Sequence, residues 1–435
     1  MDAANQPPPP QGERIDPEKL TFLWGMAPLP FSDTPAHFLV TGGVGSGKTI
    51  TLRFLMQSAL NPIGLGFDHR AVVYDAKGTM DSVLRGMNLR CPIHILNPFD
   101  RRGVAWDIAA DITTPVAARQ LAASLIPEDR SAHSFFTDAA REILAAVCQS
   151  FISIAPGKWT LRDVLVAMQD RERLQSILAR NPRTAAVAQS CLNDERTCAN
   201  VLATIATKLE PFEVIAACWQ HATAKLSLKD WLQGEGVILL GDEPLFHSSV
   251  ALINQTVIGC LAQLISRQQD SAARRTWFFF DEVSEVGRLD ALRELMQRGR
   301  SKGVCVELGF RRIEEIRRLY GSPATEELTA ACSHKTVLRT DDPETAAWAE
   351  REFGPPVRAF DLISLPLTGP KHGLAGFHHT PKAGTYFAHK PWDWVLANLQ
   401  PSKDATPDEQ FRPESDHHLQ DWTDEDYQRL GFDKP

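Results

Sequence analysis

The residues that most clearly indicate chemistry form a glycine-rich segment that ends in a lysine and a threonine. Gly42–Thr49 (GGVGSGKT) fits the pattern G-x-x-x-x-G-K-T and lies between an apolar run and an amphipathic helical pattern at Ile50–Leu60. In this context glycines let backbone N–H groups face phosphate oxygens, and the start of the helix adds positive potential. We expect Lys48 to reach the β- and γ-phosphates of ATP and Thr49 to bind Mg²⁺. The predicted nucleotide-binding residues are Gly42, Gly43, Val44, Gly45, Ser46, Gly47, Lys48 and Thr49.

Two adjacent carboxylates follow a second apolar run. Trp277–Phe280 (WFFF) is typical of a buried strand, and Asp281 and Glu282 come directly after it. Such a pair is often only a solvated strand end, but together with the phosphate-binding loop it predicts catalysis. We expect Asp281 to hold Mg²⁺ through water and Glu282 to act as general base on the attacking water. The long separation between Lys48 and Asp281 favours a translocating ATPase over a small-molecule kinase.

A basic segment comes next along the chain. Arg293–Arg318 contains eight Arg or Lys residues and four Glu residues. For Arg317 and Arg318, ion pairs with the neighbouring glutamates on one helix are the simplest interpretation. Arg298 and Arg300 lie in a predicted loop before a strand. There, an arginine finger that crosses to another subunit, a DNA contact and an ordinary surface role all fit.

Charge and composition are those of a globular protein with an acidic end. The 435 residues carry a formal net charge of −8, with 43% hydrophobic and 23% charged residues. The last 35 residues hold ten Asp or Glu against four Lys or Arg, so the part before them is close to neutral. Such a part can still carry a local basic surface for a phosphate-rich partner.

Cysteine usage and hydropathy bear on localisation. The eight cysteines include no C-x-x-C pair, which suits a reducing cytoplasm and gives no zinc-site pattern. No uninterrupted run of about 18 apolar residues is present, so we expect no membrane span. The proline-rich N-terminus lacks the apolar core of a signal peptide. We therefore expect a cytoplasmic protein, which a partner could recruit to the inner membrane.

Apolar runs alternate with helical patterns over most of the chain, which predicts an α/β fold with a mainly parallel sheet. The seven runs predicted as strands are His37–Thr41, Ala71–Tyr74, Ile93–Leu96, Val237–Leu240, Trp277–Phe280, Val304–Leu308 and Thr336–Arg339. Helical periodicity alone fills the middle of the chain, at Thr137–Phe151, Leu161–Met168, Glu172–Leu178, Ala185–Cys191 and Glu195–Glu210. We predict a disordered Pro-rich arm at 1–24, a RecA-like nucleotide-binding domain at 25–112 and 226–400, an inserted all-α domain at 113–225, and an acidic flexible tail at 401–435.

The Asp-Glu segment also resembles a known family. Phe280–Gly309 closely resembles the second nucleotide motif of type IV secretion coupling proteins, the conjugative DNA-transfer ATPases of TraG/TraD type. Other segments that resemble this family are Tyr74–Gly78 (YDAKG), Asn97–Asp100 (NPFD) with Trp106-Asp107, Phe135–Arg141 and Leu338–Trp348. The resemblance extends from about His37 to Trp348.

Membership of this family would imply a RecA-like P-loop motor with an all-α domain at the entrance of a ring. The ring is thought to be a homo-hexamer that pumps single-stranded DNA, with an attached relaxase, towards a secretion channel. ATP and Mg²⁺ would be the cofactors, and DNA binding would not depend on sequence. Arg300 matches the position proposed in the family as the arginine finger, which reaches the ATP of a neighbouring subunit.

Two departures from the family pattern are visible. Members usually carry a pair of N-terminal transmembrane helices, which this chain does not show. In addition, Arg311 stands where the family normally has a glutamine that senses the γ-phosphate. An arginine can also contact phosphate, so Arg311 is kept among the predicted catalytic residues with Lys48, Glu282 and Arg300.

Three hypotheses follow. The first is an ATP-driven DNA translocase that delivers DNA, or a relaxase–DNA complex, to a type IV secretion or conjugation machinery. The second keeps the ATPase but gives it protein substrates, with acidic Asp421–Asp426 as a docking peptide. The third is a nucleotide-binding adaptor with little turnover, of which Arg311 would be the sign.

Overall fold

A computed structural model describes residues 19–128, 134–403 and 411–432. They divide into two compact units. The first unit contains residues 19–94, 232–241 and 262–403, and the second contains residues 95–128, 134–231, 242–261 and 411–432. The predicted helical insertion, 113–225, falls within the second unit, whose bounds are wider because a later helix and the C-terminal segment also belong to it.

The strands lie mainly in one sheet. In chain order they are β1 (Thr21–Trp24), β2 (Ala27–Pro30), β3 (His37–Thr41), β4 (His69–Tyr74), β5 (Ile93–Ile95), β6 (Ala105–Trp106), β7 (Lys225–Leu226), β8 (Val237–Leu240), β9 (Arg275–Phe280), β10 (Val304–Phe310), β11 (His334–Val337), β12 (Leu374–Thr380) and β13 (Gly384–Lys390). Nine of them form a sheet in the order β13-β12-β11-β3-β10-β9-β4-β8-β5. The six strands from β11 to β8 are parallel, while β12 and β13 are antiparallel additions at one edge.

Burial explains why these segments form strands. All residues of β3, β4, β8, β9 and β10 are buried, as expected for a parallel sheet covered on both faces. Each of the seven predicted runs overlaps a strand of this sheet, so the predicted α/β fold with a mainly parallel sheet is confirmed. The sequence prediction missed β12 and β13, in which histidines and other polar residues interrupt the apolar pattern.

The helices are α1 (Lys48–Leu60), α2 (Met80–Gly86), α3 (Ile108–Asp111), α4 (Pro115–Leu125), α5 (Ser134–Ile154), α6 (Leu161–Gln169), α7 (Arg171–Ala179), α8 (Pro182–Leu192), α9 (Glu195–Trp219), α10 (Leu228–Trp231), α11 (His247–Ser266), α12 (Asp290–Gly299), α13 (Ile313–Tyr320), α14 (Ser322–Ala331), α15 (Pro343–Phe353), α16 (Ala359–Ser364), α17 (Trp392–Asn398) and α18 (Asp424–Leu430). The five helical patterns predicted in the middle of the chain correspond to α5 through α9. Side chains of Thr160, Asp170, Asn181 and Asp194 cap the starts of α6 through α9.

The N-terminal prediction is partly wrong. Residues 1–18 lie outside the described residues, but residues 21–24 of the predicted arm form β1, which pairs with β2. Phe22 and Trp24 are buried, with ring centroids 5.2 Å from Trp277 and 4.9 Å from Phe38, respectively. Aromatic burial of this kind holds the hairpin on the sheet. The two prolines of β2 made this segment look unlike a strand, because proline within sheets is largely confined to edge strands.

One helical segment is more apolar than the sequence prediction allowed. Among the described residues, Pro244–Ser266 is long and apolar enough by composition to cross a membrane, with a mean hydropathy of 1.5. The sequence prediction counted uninterrupted apolar residues, and uncharged polar residues interrupt this segment. Such residues lower the mean hydropathy much less than charged residues do. Of the most apolar 18 residues of this segment, 61% are buried within the fold. The core helix of a soluble protein can be equally long and apolar.

The predicted flexible tail is also partly wrong, because residues 411–432 pack within the second unit. Trp422 and Leu430 are buried there, and the ring of Trp422 lies under the guanidinium of Arg173 at 5.0 Å. Arg429 donates to both carboxylate oxygens of Asp163, at 2.9 Å each. Three acidic residues of this segment, Asp416, Asp421 and Asp426, pair with arginines, which the count of net charge could not reveal.

Replacing Arg429 with alanine is expected to lower the free energy of unfolding by about 2–3 kcal/mol. Asp163 is fully buried and Arg429 is 32% exposed, so the substitution leaves a buried carboxylate without its charge partner. Urea unfolding monitored by tryptophan fluorescence measures the difference. An Arg85→Ala control removes a more exposed pair with Asp81 and should cost less than about 1 kcal/mol. Equal losses in the two variants would contradict the prediction.

Four buried histidines make the first unit sensitive to acid. Burial lowers the pKa of His37, His69 and His334 from 6.5 to about 4, and that of His378 to about 3. Because the unfolded chain binds protons more readily, this stability is present above pH 6.5 and is lost as pH falls towards 4. We expect a loss of about 2–3 kcal/mol per buried histidine between pH 7 and pH 4.5.

The measurement is urea unfolding across this pH range. His378 bonds Thr336 Oγ1 at 2.8 Å through Nδ1, and glutamine can keep a hydrogen bond there without titrating. A His378→Gln variant should therefore show a shallower pH dependence, whereas the exposed control His418→Gln should follow the wild type. A flat pH profile in the wild type would refute the prediction.

Candidate nucleotide site

Four loops meet at the carboxyl edge of the sheet in the first unit. The glycine-rich loop follows β3, Asp281 and Glu282 follow β9, Arg311 follows β10, and Lys77 lies in the loop after β4. These strands are neighbours in the order β3-β10-β9-β4 and run parallel, so their carboxyl ends lie side by side. Ligands of open α/β sheets bind at this edge.

The glycine-rich loop has a backbone that only glycine adopts readily. Gly45 and Gly47 have φ angles of +72° and +93°. A Cβ on Gly47 would also lie 2.4 Å from Leu374 Cδ1, so a larger residue does not fit. The helix α1 begins at Lys48, and the first N–H groups of a helix have no partner within it. The start of α1 therefore presents N–H groups of the kind that bind phosphate, whereas the N–H groups of Gly43 and Ser46 donate to Arg339 O and Gly43 O.

Lys48 joins the loop to the Asp-Glu pair. Its Nζ donates to the backbone oxygen of Asp281 and lies 3.2 Å from both Asp281 Oδ1 and Glu282 Oε2. Thr49 Oγ1 donates to Asp281 Oδ2 at 2.9 Å. All but Thr49 are buried. The structure thus brings together the residues that the sequence analysis assigned to phosphate, metal and water.

Asp281 is held as a carboxylate by nearby cations. Burial opposes its ionisation, but the charges of Lys48 and Lys77 and hydrogen bonds from Lys77 and Thr49 lower its pKa overall. Lys77 Nζ lies 3.0 Å from Asp281 Oδ2 and is 43% exposed. The sequence analysis gave Lys77 no role, although its position just after an apolar strand was an available signal.

Glu282 is paired with two cations through one oxygen. Its Oε2 accepts from Lys48 and, at 2.9 Å, from Arg311 Nε. Its Oε1 is buried and has no hydrogen-bond partner among the described residues. The arginine that replaces the family glutamine thus lies in the site and contacts the predicted general base.

A further carboxyl group lies near the site. Glu307, in the middle of β10, is fully buried, and neither of its carboxyl oxygens has a hydrogen-bond partner in the described part of the chain. Burial, together with the negative charge of Asp281, raises its pKa well above the usual range. Three cations, Lys48, Lys77 and Arg311, lie beside the carboxylates of Asp281 and Glu282.

These residues fit a nucleotide with Mg²⁺. Ser46 Oγ and Glu282 Oε1 are buried atoms that lack partners among the described residues, as expected where a ligand or water completes the site. Thr49 and Asp281 offer adjacent oxygen ligands of the hard type that Mg²⁺ prefers. The three cations offer charged hydrogen-bond donors for phosphate oxygens.

Arg300 lies at the opposite edge of the sheet. It comes before β10, and its Nε donates to the backbone oxygen of Pro35, which comes before β3. The glycine-rich loop begins after β3, so the length of the strand separates the two by about 20 Å. Arg300 is exposed and does not reach the site of its own chain.

Most of the predicted basic segment is engaged in pairs. Arg317 binds Glu314 at 2.6 Å, as predicted, whereas no ion pair is recorded for Arg318 in the described part of the chain. Arg298 is 77% exposed and pairs with Glu294. The other cations with acidic partners are Arg293, Lys302, Arg311 and Arg312. Arg300 differs from these in that its recorded partner is a backbone oxygen.

Other segments that resemble the family have structural contacts. Asp75 accepts hydrogen bonds from backbone N–H groups of residues 77, 79 and 80, which shapes the loop that carries Lys77. Phe99 stacks on Phe246 at 4.8 Å within the second unit. Trp106 Nε1 donates to a carboxylate oxygen of Asp111 at 2.6 Å in that unit. These contacts explain the residue types without a ligand.

A glycine-rich loop after one parallel strand and an Asp-Glu pair after a nearby one define a P-loop NTPase. The chain belongs, moreover, to the family of the type IV secretion-system coupling protein DNA-binding domain, whose model matches residues 22–356. Coupling protein TraD of Escherichia coli K12 is 22% identical over 325 residues, which are 73% of this chain and 44% of TraD. Conjugal transfer protein TraG of Agrobacterium fabrum is 29% identical over 101 residues, 23% of this chain and 15% of TraG. The chain thus spans less than half of each relative.

Solved structures of the same fold include TrwB. The unbound conjugative coupling protein TrwBdeltaN70 superposes with a TM-score of 0.70 and 18% identity, covering 89% of this chain and 92% of the TrwBdeltaN70 chain. TrwB in complex with ADP and Mg²⁺ gives a TM-score of 0.66 at 19% identity, covering 87% and 92%. VirB4 of Thermoanaerobacter pseudethanolicus gives 0.53 at 11% identity, covering 90% and 96%. The predicted P-loop NTPase fold is confirmed.

Proposed function

We propose that this protein is an ATP-driven motor that binds DNA and moves it towards a type IV secretion or conjugation machinery. The observation that carries the proposal is the contact of Lys48 and Thr49 with Asp281 and Glu282 at the carboxyl edge of the sheet. Membership of the coupling-protein family supports DNA as the cargo, and TrwB complexes with ADP and an ATP analogue support a nucleotide ligand.

Bound ATP and Mg²⁺ would supply the phosphoanhydride bond and the positive charge that stabilises its cleavage. Gly42 through Thr49 would hold the phosphates, and Thr49 and Asp281 would hold the metal. Lys48 would exchange its carboxylate partners for phosphate, which would leave Arg311 as the cation bound to Glu282 Oε2. Glu282 would then orient the attacking water and take its proton at Oε1, the oxygen that has no partner among the described residues.

The cargo and assembly follow from the same proposal. We infer a homo-hexamer in which Arg300 of one subunit contacts the nucleotide of the next. Single-stranded DNA would be bound through its phosphates without sequence preference, and a relaxase or a channel protein would be the partner. We further infer a cytoplasmic location with recruitment to the inner membrane by a partner.

Steady-state ATP hydrolysis, measured with and without single- and double-stranded DNA, tests the function. Stimulation by DNA that disappears in Lys48→Ala and Glu282→Gln variants would support a DNA motor. Hydrolysis indifferent to DNA would favour protein substrates instead. For that alternative, the acidic segment 421–426 gives little support, because Asp421 and Asp426 already bind Arg173 and Arg162 within the second unit.

A second candidate function, that of a nucleotide-binding adaptor, is favoured by one contact. The Arg311 guanidinium neutralises Glu282, which suits a nucleotide-binding adaptor with little turnover. If this pair suppresses catalysis, Arg311→Gln should raise turnover at least about tenfold, since a general base contributes about 10²–10⁴-fold when free to act. We expect instead that Arg311 assists phosphate binding, so that Arg311→Gln leaves turnover unchanged or lowers it. A large gain would contradict the motor proposal and support the adaptor.

A further inference from the structure

A second loop holds the glycine-rich loop from the side. We call it the clamp loop and define it as Leu365–Gly373, between α16 and β12. Thr368 donates twice to the glycine-rich loop, from its N–H to Gly45 O at 2.9 Å and from its Oγ1 to Ser46 O at 2.7 Å. The clamp loop lies after residue 356, where the match to the coupling-protein family ends.

The two bonds fix the orientation of successive peptide units. In a trans peptide the carbonyl and the following N–H point in opposite directions. A bond to Ser46 O therefore turns the N–H of Gly47 away from Thr368. The bond to Gly45 O likewise orients the N–H of Ser46, which donates to Gly43 O at 3.2 Å. Because glycines at 45 and 47 leave this backbone unusually free, an external anchor has a large effect on its conformation.

The clamp loop is itself well anchored. Gly369 and Gly373 exchange two backbone hydrogen bonds, at 3.1 and 2.7 Å, which close the loop. His389 in β13 bonds the backbone oxygen of His372 through Nε2 at 2.9 Å. Leu374, the first residue of β12, touches the position of Gly47. Thr368 is thus presented by a rigid hairpin rather than by a free loop.

We propose that Thr368 is a positioning residue that preorganises the backbone N–H groups of the glycine-rich loop for the phosphates of a nucleotide. The proposal rests on the proposed nucleotide-binding function and deepens it. Thr368 acts through Ser46 and Gly45, and its hydroxyl is committed to Ser46 O. Its main effect is therefore on nucleotide affinity, with little effect on the turnover of bound nucleotide.

The test is an equilibrium titration of the full chain with a fluorescent ATP analogue and Mg²⁺, beside steady-state kinetics. Thr368→Val keeps the shape but removes the hydroxyl, and we expect about five- to tenfold weaker binding, a matching rise in KM and a nearly unchanged kcat. Thr368→Ser restores the donor and should bind within about twofold of the wild type. Thr385→Val is the control, since it removes a hydroxyl that makes two hydrogen bonds away from the site, with Phe353 O at 2.9 Å and His379 Nδ1 at 3.0 Å.

Hydrogen exchange gives a second measurement without nucleotide. The amide of Ser46, which donates to Gly43 O at 3.2 Å, should exchange faster in Thr368→Val and at the wild-type rate in Thr385→Val. Unchanged affinity and exchange in Thr368→Val would overturn the role of Thr368, provided that wild type binds the analogue and Lys48→Ala does not. Failure of the wild type to bind would overturn the proposed function as well.

Discussion

Replacing Glu282 with glutamine is expected to lower ATP turnover by about 10²–10⁴-fold, the range a general base contributes. Glutamine keeps the size of the side chain but cannot accept a proton from water. It also removes one of the two carboxylates that hold Lys48, so the lysine is freer to bind phosphate. We therefore expect ATP binding to be retained or tightened while hydrolysis is lost.

A coupled assay of phosphate release and a titration with a fluorescent ATP analogue separate these two effects. Glu285→Gln is the matched control, because Glu285 is exposed and lies only three residues away. Its turnover should equal that of the wild type. Turnover of Glu282→Gln within about threefold of the wild type would show that another group activates the water.

Replacing Arg300 with alanine is expected to lower turnover by about 10³-fold or more, the contribution of an arginine finger. Arg300 and the glycine-rich loop lie at opposite edges of one sheet, so the loss must arise between subunits. Nucleotide affinity and thermal stability should change little, since the recorded contact of Arg300 within its chain is a single hydrogen bond to Pro35 O. Arg298→Ala, which removes a 77% exposed neighbour, should retain wild-type turnover.

Mixing two inactive variants tests the contact between subunits directly. Lys48→Ala subunits keep Arg300, and Arg300→Ala subunits keep the glycine-rich loop. In an equal mixture about a quarter of head-to-tail interfaces combine both intact groups, so a corresponding share of activity should return. Activity of Arg300→Ala alone, or no recovery in mixtures that mass photometry shows to be assembled, would refute the arginine finger.

Much of the fold and the centre of the site could be predicted because their signals are local. The strand, loop and helix around Lys48 are contiguous, and WFFF followed by Asp281 and Glu282 requires only one strand to be placed. Uninterrupted apolar runs likewise mark the parallel strands, since such strands are buried on both faces. In the second unit, helices α5 through α9 follow from their periodicity.

The missed residues depend on packing between distant segments. Lys77 reaches Asp281 because β4 pairs with β9, and Thr368 reaches Ser46 because an antiparallel edge is added beyond β11. The residues around Lys77 and Thr368 do not show which distant strands pair with each other. Glu307 lies within an apolar run, where a charged residue is not expected. The sequence therefore indicates an unusual environment for Glu307, but it does not show that Asp281 lies nearby. The acidic C-terminal segment was misjudged because net charge does not show which arginines face it.

The polarity of the sheet has a mechanical consequence. The glycine-rich loop follows β3, and Arg300 precedes the neighbouring strand β10, so the two lie at opposite edges of the sheet. In the proposed hexamer, each sheet would therefore connect two successive nucleotide sites. A displacement that ATP causes at one edge would be transmitted through β3 and β10 as a tilt of the whole sheet, because a close-packed core deforms little. In the proposed hexamer, this tilt would move the Arg300 that contacts the nucleotide of the next subunit, and so would couple hydrolysis in one subunit to hydrolysis in the next.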